Sequence, residues 1–258
     1  MDGRHQRELF DGVNAFCLFI GHSRSGSSLV GSLLSAHPSI VISHELDALR
    51  YVQLGFRRDQ LFHLILKRDA EFAATNRVTK SGYAYEVPRL SQGQPAELRV
   101  IGDKKAGNTA NRIRRYPGLL DRLRESTGVP LRIIYLARNP YDTITTMARK
   151  SGKGLGPAAA RFLEQCETVQ QVSAVMGAEE FSAVRYESLV ADPAGCLERL
   201  CRFLGVEADP EYLRACSSIV YPPSVLRRHQ GEWDGARIAE LGDQLRRFPL
   251  LDGYSYET

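Results

Sequence analysis

Gly21-His22-Ser23-Arg24-Ser25-Gly26-Ser27-Ser28 gathers two glycines, four serine hydroxyls and one guanidinium within eight residues, with no carboxylate among them. That is a donor set for a tetrahedral oxyanion. Ala15-Phe16-Cys17-Leu18-Phe19-Ile20 precedes it, a continuous apolar run of the kind carried by a strand buried on both sheet faces. Behind it Leu29, Val30, Leu33 and Leu34 recur at helical spacing until His37-Pro38. A helix starting just past Gly26 aims its free backbone N–H groups and positive dipole end at whatever anion the loop holds. Residues 39–43 then read as a second strand, so strand, loop, helix and strand follow within about 30 residues, the length of a βαβ unit.

The Gly-x4-Gly spacing is that of a nucleotide P-loop, but Ser27 stands where the phosphate-gripping Lys belongs, and the loop's cation is Arg24. A kinase or ATPase needs that Lys, and Mg²⁺, to stabilise the charge of γ-phosphoryl transfer. A sulfuryl group carries less negative charge, so backbone donors, hydroxyls and one cation suffice without a metal. A second cluster, Arg138-Asn139-Pro140-Tyr141-Asp142-Thr143-Ile144-Thr145-Thr146, follows the apolar run at 131–137. Asn139 suits a helix cap, Pro140 the first helical position and Asp142 the positive helix end. Arg138 then sits at a strand's carboxyl end and Thr146 two turns into the helix. An attacking hydroxyl must lose a proton, and Glu45, directly after the second strand, lies at the sheet edge where ligands of open parallel sheets bind. His44 is the competing base. Neighbours on an extended segment point to opposite sides, so one of the two is expected to face the site, with a helix beginning at Leu46. Asp103-Lys104-Lys105 closes a third strand, 98–102, at the same edge.

Arg24-Ser25-Gly26-Ser27-Ser28-Leu29-Val30, followed by Ala36-His37-Pro38, resembles the 5′-phosphosulfate loop of sulfotransferases that use 3′-phosphoadenosine 5′-phosphosulfate (PAPS). It is closer to the carbohydrate and tyrosylprotein branches than to the cytosolic aryl branch, which places Lys in this loop. The resemblance implies that Ser23, Arg24, Ser25, Gly26, Ser27 and Ser28 hold the phosphosulfate, and that Arg138 and Thr146 grip the 3′-phosphate. Thr146 stands where Ser is usual and retains the hydroxyl. Val184-Arg185-Tyr186-Glu187-Ser188-Leu189 resembles a segment whose aromatic, here Tyr186, contributes to nucleotide binding. Arg227-Arg228-His229-Gln230-Gly231-Glu232-Trp233 resembles the basic loop that closes over the 3′-phosphate, which makes Arg227 and Arg228 donor ligands. Glu45 is then the base, with His44 as its alternative, and Lys104 and Arg24 stabilise the transferring sulfonate electrostatically. The implied reaction is metal-free in-line displacement that releases adenosine 3′,5′-bisphosphate (PAP). The acceptor is a hydroxyl on a glycan, a glycolipid or a small-molecule natural product. The alternatives are a P-loop kinase or NTPase, and a non-catalytic nucleotide-binding module.

The elements required to position these groups form a P-loop-like three-layer α/β/α fold with a central parallel sheet of about five strands, at 15–20, 39–43, 98–102, 131–137 and 181–185. The 258 residues, 43% of them hydrophobic, suffice for one domain spanning 1–258, in which 46–98 reads as a substrate-region insertion. Tyr83 and Tyr85 are candidates there for an aromatic wall. A net charge of +4 is too small to point to nucleic acid. The longest apolar runs fall far below the roughly 20 residues of a membrane span. Residues 1–14 are polar and of mixed charge, unlike a secretory leader. Five cysteines without a CxxC pair suggest reduced core thiols, neither zinc ligands nor disulfides. Set against the Golgi-type branches the chain resembles, the absence of a leader or anchor implies a cytoplasmic bacterial enzyme tailoring a secondary metabolite or envelope glycolipid, with a truncated luminal domain as the alternative and the oligomeric state open.

Overall fold

The computed structural model describes residues 9–79, 82–90, 92–222 and 225–258. Most of the polar N-terminal stretch, residues 1–8, and Ser81 of the loop before Tyr83 lie outside the described residues. Five strands form one parallel sheet, β1 (Ala15–Ile20), β2 (Ile40–His44), β3 (Val100–Lys104), β4 (Leu131–Ala137) and β5 (Phe181–Arg185), in the order β2-β3-β1-β4-β5. The chain runs from β1 outward to β2, returns through β3, and then crosses to β4 on the other side of β1. Strand order therefore reverses at β1, and the crevice for a ligand opens at its carboxyl end.

Alternation along the strands divides the core into two layers. Phe16, Leu18 and Ile20 of β1, with Ile101, Ile133 and Tyr135, face one side. There they pack against α3 (Arg58–Ala73), α4 (Ala106–Arg115), α6 (Pro140–Ser151) and α7 (Leu155–Val175), joined by α2 (Ala48–Gln53), α5 (Leu119–Thr127) and α11 (Gly235–Leu245). Cys17, Phe19, Ile42, Val100, Ile134 and Leu136 face the other side, against α1 (Ser27–Leu34), α8 (Tyr186–Ala191), α9 (Pro193–Leu204) and α10 (Pro210–Ser217). This is the three-layer α/β/α arrangement. Residues 46–98 form the crossover between β2 and β3, and Leu61, Phe62 and Ile65 of α3 are fully buried on the sheet. All five cysteines are free and buried. Among the described residues no helix is long and apolar enough to cross a membrane.

Two strands begin and end later than their sequence suggests. β2 covers Ile40–His44 instead of 39–43, and β3 covers Val100–Lys104 instead of 98–102. Asp103 and Lys104 read as loop because they are charged, yet both are buried strand residues. Asp103 accepts hydrogen bonds from the Ser43 hydroxyl (2.8 Å) and from the N–H groups of Leu46 (3.1 Å) and Ala48 (2.8 Å). These partners, supplied by β2 and the turn after it, replace the water the carboxylate loses.

Candidate active site

At the carboxyl end of β1 the loop 21–26 turns into α1 through three residues with positive φ, Gly21 (129°), Arg24 (75°) and Gly26 (96°). Gly26 caps α1, and a β-carbon there would lie 2.6 Å from the Tyr186 ring, so both the backbone and the packing require glycine. From beneath, buried His22 anchors the loop. Its ring stacks on Phe162 (3.9 Å, 19°), with nitrogens 3.3 Å from Gln165 Oε1 and from the Tyr135 hydroxyl. Gln165 also donates to the Gly107 carbonyl (3.1 Å) and to Asn111 (3.0 Å), which ties the loop to the start of α4. Burial, against the Gln165 hydrogen bond, pulls His22 down to about 4, so it is neutral at physiological pH.

A cavity of about 650 Å³ opens above this edge. Ser23, Arg24, Ser27 and Ser28 form its floor, Glu45 and Lys105 one side, and Arg68, Phe72 and Tyr85 the wall contributed by residues 46–98. Ser25 is turned away, buried with its hydroxyl donating to the His22 carbonyl (3.1 Å). Lys104 reaches the site from behind. Its buried ammonium donates to Ser28 Oγ (2.9 Å) and to Glu45 Oε1 (2.5 Å), while Lys105 holds Glu45 Oε2 at 2.7 Å. Burial pushes the Glu45 carboxyl up, but the charge and hydrogen bond of Lys104, joined by Lys105, outweigh it and hold the group at about 2. Burial likewise draws the Lys104 ammonium below its ordinary value, against the pull of Glu45.

His44 and Glu45 both line the cavity, where alternation along an extended strand places only one of them there. Glu45 has φ 63°, so the chain has left the extended conformation at that residue. The following helix starts at Ala48, not Leu46, and the carboxylate at its N–H groups is that of Asp103, which leaves Glu45 free to face the site. His44 stacks on Phe72 (4.0 Å, 13°). Burial, followed by the Lys104 charge, lowers it to about 3.

The second cluster lies beside this cavity, against the back of the loop. Asn139 caps α6, with Oδ1 accepting from Tyr141 N (3.0 Å) and Asp142 N (3.4 Å). Arg138 donates to the Arg24 carbonyl (3.4 Å), and its guanidinium lies 4.8 Å over the ring of Tyr186, the same ring that fills the space beside Gly26. Asp142 accepts from the Arg228 N–H (2.8 Å), and Trp233 Nε1 donates to Thr145 Oγ1 (2.8 Å), so the basic loop docks on the first turns of α6. Thr146 donates to the Asp142 carbonyl (2.8 Å), and Arg227 to Gln230 (3.0 Å). Arg228 is buried, with Nη1 ion-paired to Asp142 Oδ2 at 3.6 Å, and among the described residues its Nε has no hydrogen-bond partner. Sequence reasoning missed Lys105, Arg68 and Lys150 as cavity residues. Lys150 stands one helical turn beyond Thr146, a spacing that could have found it. Nothing local marks Arg68.

Residues 130–210, which hold Arg138, Thr146 and Tyr186, match the model of the Sulfotransferase family. The fold is similar to that of the sulfotransferase domain of the Synechococcus PCC 7002 olefin synthase, at 22% identity over 95% of this chain and 91% of that one, with a TM-score of 0.52. It is similar to the sulfotransferase STF9 of Mycobacterium avium at 11% identity, over 95% of this chain and 80% of that one, with a TM-score of 0.53. Mouse sulfotransferase SULT7A1, solved in complex with PAP, is 11% identical over 98% of this chain and 90% of that one, with a TM-score of 0.52. No curated protein matches the chain.

Proposed function

We propose that this protein is a sulfotransferase that moves a sulfuryl group from PAPS to a hydroxyl of a small-molecule or glycan acceptor and releases PAP. The observation that carries the reading is the chain Ser28–Lys104–Glu45, closed at 2.9 and 2.5 Å, which joins the anion loop to a carboxylate on the wall of the same cavity. The donor fits the residues present in two respects. The loop combines positive-φ glycines with the N-terminus of α1, and buried Arg228, ion-paired with Asp142, keeps an Nε without a hydrogen-bond partner next to α6. Ser23, Arg24, Ser27 and Ser28 would hold its phosphosulfate, and Arg138, Thr146, Tyr186, Arg227 and Arg228 its 3′-phosphate and nucleoside. Bound there, PAPS supplies an activated sulfuryl group with a good leaving group.

Arg24 stays charged at every working pH and acts as an electrostatic clamp. Lys104 divides its donors between the loop serine and Glu45, so an anion seated at Ser28 competes for the ammonium and frees Glu45 to accept the acceptor's proton. His44, neutral and stacked on Phe72, shapes the acceptor wall. The test is a transfer assay with ³⁵S-labelled PAPS against a panel of sugar, phenol and alkyl alcohols in EDTA. Label should move to a hydroxyl acceptor, and Glu45→Gln should lower kcat by about 10²–10⁴-fold while PAP still binds. His44→Ala should retain most of the rate. Turnover of MgATP in place of PAPS, or PAP binding without transfer to any acceptor class, would overturn the reading.

A further inference from the structure

Residues 252–258 fold back onto the second cluster. Asn139 is buried, and its side chain faces two ways. While Oδ1 caps α6, Nδ2 donates to the carbonyls of Ser255 and Thr258, each at 2.9 Å. The Asn139 N–H donates to Glu187 Oε1 (3.0 Å), and the other oxygen of that carboxylate accepts from the Tyr254 hydroxyl at 2.5 Å. The Arg185 guanidinium lies 4.8 Å over the Tyr254 ring and donates to the Asp252 carbonyl. Tyr256 packs edge-on against Tyr141 (5.3 Å, 90°) and His229 (5.8 Å, 89°). Three of these anchors are sequence neighbours of proposed donor ligands. Asn139 follows Arg138, Glu187 follows Tyr186, and His229 follows Arg228.

We infer that residues 252–258 form a positioning brace which fixes Arg138, Tyr186 and Arg228 relative to one another, acting through Asn139, Glu187 and His229. These three ligands come from the residue after β4, from α8 and from the basic loop, segments far apart in the chain. A guanidinium contributes fully to anion binding only when it is held in place before the ligand arrives. Tyr254 and Asn139 are accordingly positioning residues that touch no reacting atom. The inference rests on the donor reading above, and its test separates the two.

Asn139→Ser keeps a good capping oxygen and removes the amide that holds Ser255 and Thr258. Tyr254→Phe removes only the hydroxyl on Glu187. Calorimetric titration of each variant with PAP, and with adenosine 5′-monophosphate, which lacks the 3′-phosphate, should show PAP weakened about tenfold in the first and about threefold in the second. Affinity for the monophosphate, which meets Tyr186 but lacks the 3′-phosphate held by the guanidinium groups, should fall by a smaller factor than that for PAP, and donor KM should rise while kcat holds. Equal loss for both nucleotides, or no loss for either, would overturn the brace. If the parent protein binds neither nucleotide, the donor reading falls, and hydrogen exchange at the backbone amides of 139–146 decides the brace. Faster exchange in both variants upholds it, and unchanged exchange refutes it. Should Asn139→Ser fail to fold, Tyr254→Phe carries the same comparisons alone.

Discussion

Glu45 is a carboxylate between two ammonium groups, and its side chain keeps 39% of its surface exposed while that of Lys104 keeps 2%. This asymmetry assigns their parts. In the proposed mechanism Lys104 is the fixed charge, embedded behind the loop, and Glu45 is the exposed group that would meet a substrate. Replacing Lys104 by Met retains the volume, leaves Glu45 with Lys105 alone, and removes the larger of the two attractions. Glu45 should then titrate above its present value of about 2, as read from its carboxyl carbon by NMR. Sulfuryl transfer should fall by about 10²–10³-fold, the scale of losing one preorganised transition-state donor. A Lys104→Met enzyme that turns over at the parental rate would remove the ammonium from the mechanism. The identities of these groups were legible in the sequence, because an acid after β2 and a lysine at the end of β3 are unusual in strands that are otherwise apolar. Their contact was not, since Glu45 and Lys104 are 59 positions apart and meet only because β2 and β3 pair in register, His44 beside Lys104.

The loop 21–26 and its helix act as one element, and Gly26 is its hinge point. Its φ of 96° is a conformation an L-residue adopts at a cost of about 1–3 kcal/mol, and any β-carbon there meets the Tyr186 ring at 2.6 Å. Gly26→Ala should therefore lower the unfolding midpoint and, by pushing Tyr186 from beneath Arg138, weaken PAP binding more than a conservative change elsewhere on α1. Paired melting curves and PAP titrations check both effects, and an alanine variant with parental stability and affinity would contradict the packing described. The glycine pattern announced this loop in the sequence, because few other local arrangements require Gly-x4-Gly between a buried strand and a helix. The turn after β2 gave no comparable signal. Alternation would have turned His44 and Glu45 apart, and the positive φ of Glu45 brings both to the cavity, held by a carboxylate, Asp103, from a different strand.

For the molecule as a whole, the two histidines displaced furthest from ordinary values, His22 at about 4 and His44 at about 3, make stability depend on acid. Both are neutral in the folded protein at pH 5, whereas in the unfolded chain they titrate near 6.5. On unfolding at pH 5 these two rings then take up about two protons. The stability they contribute is present above pH 6.5 and is lost as pH falls from there toward 4 and 3. Glu45 adds to the loss lower down, between its unfolded value near 4.5 and about 2. Proton uptake on unfolding, from denaturant titrations between about pH 7.5 and 4, should fall by about one at pH 5 in His44→Phe relative to the parent. Unchanged proton uptake in His44→Phe would show that this ring is not buried as described.

Taken alone, the sequence determined the layer architecture, the strands β1, β4 and β5 to the residue, and the anion loop with its helix, because each is written in local periodicity, caps and glycines within a few residues. Tertiary structure alone decided where β2 and β3 end, that Asp103 and Lys104 are interior, that Arg68, Lys105 and Lys150 reach the cavity, and that residues 252–258 fasten the second cluster. Those outcomes depend on whether a buried charge finds its partner, and the partner is in every case supplied by a distant segment that only the folded chain brings near.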